Sequence, residues 1–298
     1  MQYTRRDVFR CMMLAPMAIG ASIPICAYAA EWKYRRIVTL DVTATAVVAS
    51  MGILPAGAAP ARQYRPGQSD IDLPDEVADV GQPAEPNLEV IQALAPELIV
   101  ASWPVASNAP IRTIAPVLSL DIAGASEDWY GRVADAVRQV GRKLDLHADA
   151  ESAIAAADEA IAAARERLAS RSIYLVNLDQ DGLNIRLYGR HSLMDSVMRR
   201  LGLSNALSAN DNMWGWRVAG IDALLATPEA PIVHLPQYWE GPGLSRRKLT
   251  SSPMWRSLPQ VKAGRAFSLP PIDIFGGFQS SARFASSVAD LFGQGGAG

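Results

Sequence analysis

Short apolar runs alternate with longer amphipathic ones along this chain, and their order predicts strands and helices in turn. Ile37-Val38-Thr39-Leu40 reads as a strand, and Ala44 to Met51 as a helix that Gly52 ends before Ile53-Leu54-Pro55. Leu88, Ile91, Leu94 and Ala95 recur at helical spacing behind the turn-and-cap pair Pro86-Asn87, and Pro96 stops them. Leu98 to Ala101 is then an apolar run closed by Ser102, the pattern of a strand buried on both faces.

Both units return in the second half. Leu187-Tyr188-Gly189 leads into Ser192 to Leu201, a helix with Met194, Val197, Met198 and Leu201 on one stripe, ended by Gly202 before Leu203. Ile221 to Val233 repeats the order helix, proline-containing turn, apolar strand, with Pro228 offset by one residue from Pro96. The repetition predicts an α/β fold of two similar lobes with central sheets flanked by helices, one over residues 31–143 and one over residues 171–298. Residues 144–170 lie between them. Ser152 to Leu168 contains no Gly or Pro and is dominated by Ala with Glu and Arg, so it predicts one long helix joining the lobes.

Residues 1–29 stand apart from this fold. Thr4-Arg5-Arg6-Asp7-Val8-Phe9-Arg10 resembles a twin-arginine export motif, Met12 to Cys26 is apolar but short for a membrane span, and Ala27-Tyr28-Ala29 offers small residues for cleavage before Ala30. The expected destination is the periplasm. Both cysteines, Cys11 and Cys26, fall in this leader, so the exported chain would have no disulfide, no thiolate metal site and no cysteine nucleophile.

At 298 residues and 49% hydrophobic the chain can bury a sizeable core. Loss of the leader removes Arg5, Arg6, Arg10 and Asp7 and takes the formal charge from -2 to -4. Nothing in that balance attracts a polyanion, and nucleic acid is not an expected partner. There is no G-x-S-x-G, no Walker loop and no H-x-x-x-H. His147, His191 and His234 are scattered, so neither a protein metal site nor a catalytic apparatus is predicted.

The chain offers aromatic residues in loops beside predicted strands, where open α/β sheets place their ligand crevice. Trp103 follows Leu98 to Ser102; Trp214 and Trp216 lie in Asn212-Met213-Trp214-Gly215-Trp216; Tyr238 and Trp239 follow Pro231 to Leu235. Tyr64 and Tyr188 are further aromatic candidates. Arg65, Arg190 and Arg217 are candidate anchors, since a guanidinium forms charge-assisted bonds to anionic oxygens.

The stretch from Asp79 to Ser102, DVGQPAEPNLEVIQALAPELIVAS, and the segment around Trp214 resemble the cluster A periplasmic binding proteins. These carry ferric siderophores, cobalamin or haem to ABC importers, and the ferric hydroxamate binders are the most similar among them. The resemblance implies a substrate-binding protein, expected to be a monomer and not an enzyme, which holds a ferric siderophore between its lobes without a cofactor of its own. The chelator already wraps the iron, so broad aromatic contact and a few polar anchors suffice. In such proteins the single linking helix limits closure. Trp214 matches a ligand-contacting tryptophan of the hydroxamate binders. Near the C-terminus Phe275 keeps an aromatic in the family's ligand loop while Asp273 replaces a tryptophan, and Pro83 stands where those proteins have a ligand-contacting arginine. A siderophore of hydroxamate or mixed hydroxamate/carboxylate type is therefore expected. Glu89 and Asp222, near the starts of the paired helices, match acidic residues that dock on the permease in the inner membrane. Cobalamin or haem is the alternative cargo. A sensor module, or an exported siderophore-processing enzyme using Ser192 or Ser107, would be a different class of protein.

Overall fold

The computed structural model describes residues 33–64, 69–122, 127–178, 184–206, 211–212, 214–238 and 252–293, with backbone alone for Lys33, Tyr34, Gln63 and Tyr64. The predicted leader, Arg65, Trp239 and the side chain of Tyr64 lie outside the described residues.

The N-terminal half builds a parallel sheet from β1 (Lys33–Thr39), β2 (Ile53–Ala58), β3 (Ala78–Asp79), β6 (Leu98–Ala101) and β7 (Val117–Ser119), in the order β3-β2-β1-β6-β7. A small hairpin of β4 (Gly81–Gln82) and β5 (Glu85–Pro86) carries Pro83 in its turn. Helix α1 (Val42–Ser50) is buried along almost its whole surface, as its run of Ala, Val and Thr demands. Asp41 caps it, accepting from Ala44 N at 2.8 Å, and the other carboxylate oxygen accepts from Ser102 N at 2.8 Å. One side chain thus joins the exits of β1 and β6. Burial pushes its carboxyl pKa up, and those same N–H groups hold it back. Helix α2 (Leu88–Ala93) starts where Asn87 accepts from the N–H groups of Glu89 and Val90.

The C-terminal half builds its sheet from β8 (Ser172–Leu178), β9 (Asn184–Tyr188), β10 (Ser204–Asn205), β11 (Trp216–Gly220), β12 (Ile232–His234) and β13 (Ala266–Ser268). β8 pairs in parallel with β10 and β12, and β12 with β13, which repeats the β2-β1-β6-β7 frame. β9 and β11 depart from it. β9 runs antiparallel to β8, and β11 antiparallel to β9. The sequence repetition is therefore displaced by one strand. Leu187-Tyr188 does lead into helix α5 (Leu193–Arg200), but the counterpart of β1 is β8, and β9 is an inserted hairpin strand. The segment Ile221–Ala226 takes a 3₁₀ form instead of a full α-helix before β12.

Between the sheets, helix α3 (Trp129–Lys143) is followed by the long helix α4, His147–Glu166. Ala150, Ala153, Ile154, Ala157, Ile161 and Ala164 form the buried stripe of α4, which packs on α3 and on the C-terminal helix Gly277–Phe292. That C-terminal helix also packs on α1 and α5, one from each half. One apolar cluster consequently contains Ile37 and Val47 of the first lobe together with Tyr188 and Met194 of the second. The linking helix is not the sole tie. No helix among the described residues is long and apolar enough to cross a membrane.

Candidate functional site

The inserted β9/β11 pair positions the central aromatics. Its register sets Trp216 opposite Tyr188, Arg217 opposite Leu187 and Val218 opposite Arg186. Side chains alternate across a sheet, so Trp216, Val218, Arg186 and Tyr188 share one face, and Arg217, Ala219, Leu187 and Ile185 share the other. The segment before β11 is tightly tied. Asn212 Oδ1 accepts from Trp214 N at 2.9 Å and Trp216 N at 3.3 Å, while Gly189 N donates to Gly215 O at 2.9 Å. Asp211 accepts from His191 N at 2.9 Å and meets His191 Nδ1 at 2.6 Å. Gly215 has φ +80, and a Cβ there would lie 2.4 Å from Ser192 N. A glycine is required at that point.

This turn stacks Trp214 on Trp216 with ring centroids 6.4 Å apart and planes at 24°. Phe275 approaches both, at 6.3 Å and 80° to Trp214 and 6.1 Å and 61° to Trp216, and lies 6.0 Å from Trp129. These are the separations at which aromatic quadrupoles attract. Phe275 is held from both lobes. Its carbonyl accepts from Thr43 Oγ1 of α1 at 3.1 Å, and its N–H donates to Asp273 Oδ1 at 2.9 Å. Trp214 remains 45% exposed, so the cluster presents an open aromatic surface where the two halves meet.

A polar joint lies beside Phe275. Asp70, whose side chain is 1% exposed, accepts from Tyr238 Oη at 2.7 Å and Asp273 N at 2.8 Å, from Ser280 Oγ, and pairs with Arg283 at 3.4 Å. One carboxylate from the first lobe therefore gathers four groups from the second. Burial raises the Tyr238 phenol pKa, with Asp70 adding to the rise. Burial also pushes the Asp273 carboxyl up to about 6, opposed by the Phe275 N–H and reinforced by neighbouring Asp70.

The predicted residues divide accordingly. Trp214, Trp216 and Phe275 come together. Trp103 follows β6 as expected but packs half-buried on the apolar cluster of Val38, Ile99 and Ile111, with no ring contact to the others among the described residues. Tyr238 and Asp273 belong to the Asp70 joint. Tyr188 corrects an expectation: it is fully buried, a core residue in place of a ligand contact. Arg217 lies on the strand face opposite the one that carries Trp216, with its Nε buried. Arg190 is exposed and pairs with Glu127 at 3.4 Å, a contact of little energetic weight between solvated groups. Glu89 and Asp222 are exposed in the first turns of their helical segments.

Arg186, Trp129 and Asp70 were not predicted. The alternation of Asn184-Ile185-Arg186-Leu187-Tyr188 was the available signal for Arg186, whose guanidinium lies 5.0 Å over the Trp216 ring. Among the described residues no group of three His, Cys, Asp or Glu could hold a metal ion.

Comparison with known proteins places this architecture. The family model described as periplasmic binding protein matches residues 37–272. The chain belongs to the periplasmic binding protein family. The iron(3+)-hydroxamate-binding protein FhuD of Escherichia coli (strain K12) is 26% identical to this periplasmic binding protein over 296 residues, covering 97% of each chain. The Fe(3+)-citrate-binding protein YfmC of Bacillus subtilis (strain 168) is 23% identical over 238 residues, 78% of this chain and 72% of its own. Among solved structures, the Fe3+-Desferal-bound siderophore-binding protein FhuD of Vibrio cholerae superposes with a TM-score of 0.73 at 26% identity, covering 87% of this chain and 97% of that one. The petrobactin-binding protein YclQ of Bacillus subtilis shares the fold, with a TM-score of 0.67 at 18% identity over 86% and 91% of the two chains.

Proposed function

We propose that this periplasmic binding protein captures a ferric siderophore, of hydroxamate or mixed hydroxamate/carboxylate type, against the Trp214–Trp216–Phe275 surface. It then delivers the complex to an ABC permease. The observation that carries the reading is the open aromatic cluster where the halves meet, built on a frame whose relatives bind ferric chelates. Such a surface covers a wrapped metal complex by apolar contact and needs neither a protein metal ligand nor a catalytic group. The role needs no cofactor and a monomer suffices. Residues 1–29 act as a twin-arginine leader to the periplasm, with lobes over residues 31–143 and 171–298. Glu89 and Asp222 are the permease contacts.

Titration of intrinsic tryptophan fluorescence with ferric siderophores, their iron-free forms, cobalamin and haem tests the proposal. Saturable quenching by a ferric siderophore, lost in Trp214→Ala, is expected. Absence of a saturable response to every ferric siderophore would sink it.

A further inference from the structure

Most of the arginines in the second lobe have an acceptor. Arg190 pairs with Glu127, Arg199 with Asp195, Arg200 with Asp128 and Arg283 with Asp70. Arg186 differs. Its Nε is shielded from solvent and makes no hydrogen bond, and no carboxylate lies within ion-pair distance among the described residues. The guanidinium lies over the Trp216 ring at 5.0 Å, a cation–π arrangement that does not use its donors. Across the strand pair its neighbour Val218 is 59% exposed, so the surface beside Arg186 is open. A cation fixed next to an exposed aromatic stack, with its N–H groups unspent, is a site prepared for an anion.

We infer that Arg186 is the anion-binding residue of the ligand site and selects ferric chelates that carry carboxylate groups. The inference rests on the siderophore reading above. A planar guanidinium can place two parallel N–H···O bonds on one carboxylate, and stacking on Trp216 has already removed much of its rotamer freedom. Arg217 provides an internal control. Its Nε is likewise buried without a partner, but it projects to the opposite face among Leu187 and Ile185.

The test is calorimetric titration of the full chain, wild type and variant, with ferric citrate, which is rich in carboxylates, and ferric Desferal, a trihydroxamate. Wild type is expected to bind ferric citrate the more tightly. Arg186→Gln should weaken ferric citrate at least tenfold with little change for ferric Desferal, and Arg217→Gln should change neither. If the glutamine variant does not fold, Arg186→Lys keeps the charge and stem. It should lose at least threefold for ferric citrate, because an ammonium cannot form the paired bonds. Wild-type affinity for ferric citrate in the folded variant, an equal loss for both chelates, or a wild-type preference for Desferal would each overturn the role of Arg186 while leaving the siderophore reading in place. Binding of neither chelate by wild type would overturn the inference, and the wider siderophore panel above would then decide the reading on which it rests.

Discussion

In the N-terminal sheet one edge of β1 is filled by β2 alone, whereas in the C-terminal sheet the same edge of β8 is divided between β10 and the antiparallel strand β9. The two frames share a central strand, a helix closed by a glycine, and two further parallel strands. The division matters because it admits β9 with Arg186 and, paired to it, β11 with Trp216 and the Trp214 turn. The repeated frame supplies a core, and the Trp214–Trp216 stack stands where the repetition is broken. The frames are then clasped by a polar joint at Asp70 and an aromatic one at Phe275.

The largest expected effect comes from opening that clasp. Asp70→Ala would leave the Tyr238 hydroxyl, the Asp273 N–H and Ser280 without their acceptor, and is expected to cost about 3 kcal/mol. Arg283, 45% exposed, can turn to water and softens the loss. Denaturant unfolding checks the magnitude. A cost below about 1 kcal/mol would mean that the halves are joined mainly by the helices.

Breaking the insertion without touching the first frame is the next comparison. Gly215→Val would put a β-branched residue at φ +80 and a Cβ 2.4 Å from a backbone nitrogen. About 2–3 kcal/mol of destabilisation is expected from strain and overpacking, along with loss of the Trp214 fluorescence response. Unfolding curves and a chelate titration on the same sample test both halves of the statement. A variant that melted like wild type and still bound would show the turn to be pliable.

The frame was legible in the sequence and the insertion was not, for a physical reason. Gly52, Ser192 and Gly202 are local signals of helix ends, and the apolar run Leu98 to Ala101 marks a buried strand without reference to any partner. The face on which Arg217 lies depends on the pairing of β11 with β9, and a shift of one residue in that register would reverse it. Arg186 went unread because its strand was recognised only from Leu187 onward. The Asp70 joint spans 203 residues to Asp273, a separation at which no periodicity or cap gives notice. Trp214 and Phe275 were found through family wording, whereas their contact with each other and with Trp129 needed coordinates.

The joint also has a pH signature. With its carboxyl at about 6 in the folded chain against 3.8 ordinarily, Asp273 binds a proton that the unfolded chain has already released between those values. Its contribution is therefore complete below the ordinary carboxylate range and is lost as pH rises through about 6. Asp273→Asn mimics the protonated form, keeps an acceptor for Phe275 N and removes the repulsion from Asp70. Relative to wild type it should gain about 2 kcal/mol at pH 7 and nothing near pH 4. Equal gains at both pH values would locate the effect in packing and leave the joint without its titration.

The smallest effect tests the equivalence of the frames itself. Gly52 and Gly202 occupy the same place after α1 and α5, at φ +69 and +74, and each N–H closes the last helical turn, onto Ala49 O and Arg199 O. A Cβ on Gly52 meets nothing within 4 Å, and one on Gly202 comes no nearer than 3.7 Å to the Arg165 guanidinium. Neither position is crowded, so an alanine at either should cost only the left-handed backbone penalty, about 1 kcal/mol. Matched losses for Gly52→Ala and Gly202→Ala in parallel unfolding experiments are expected. A distinctly larger loss at Gly202 would assign extra weight to Arg165, which donates to Arg200 O at 3.0 Å, and would show that α4 grips the second frame in a way the first has no counterpart for.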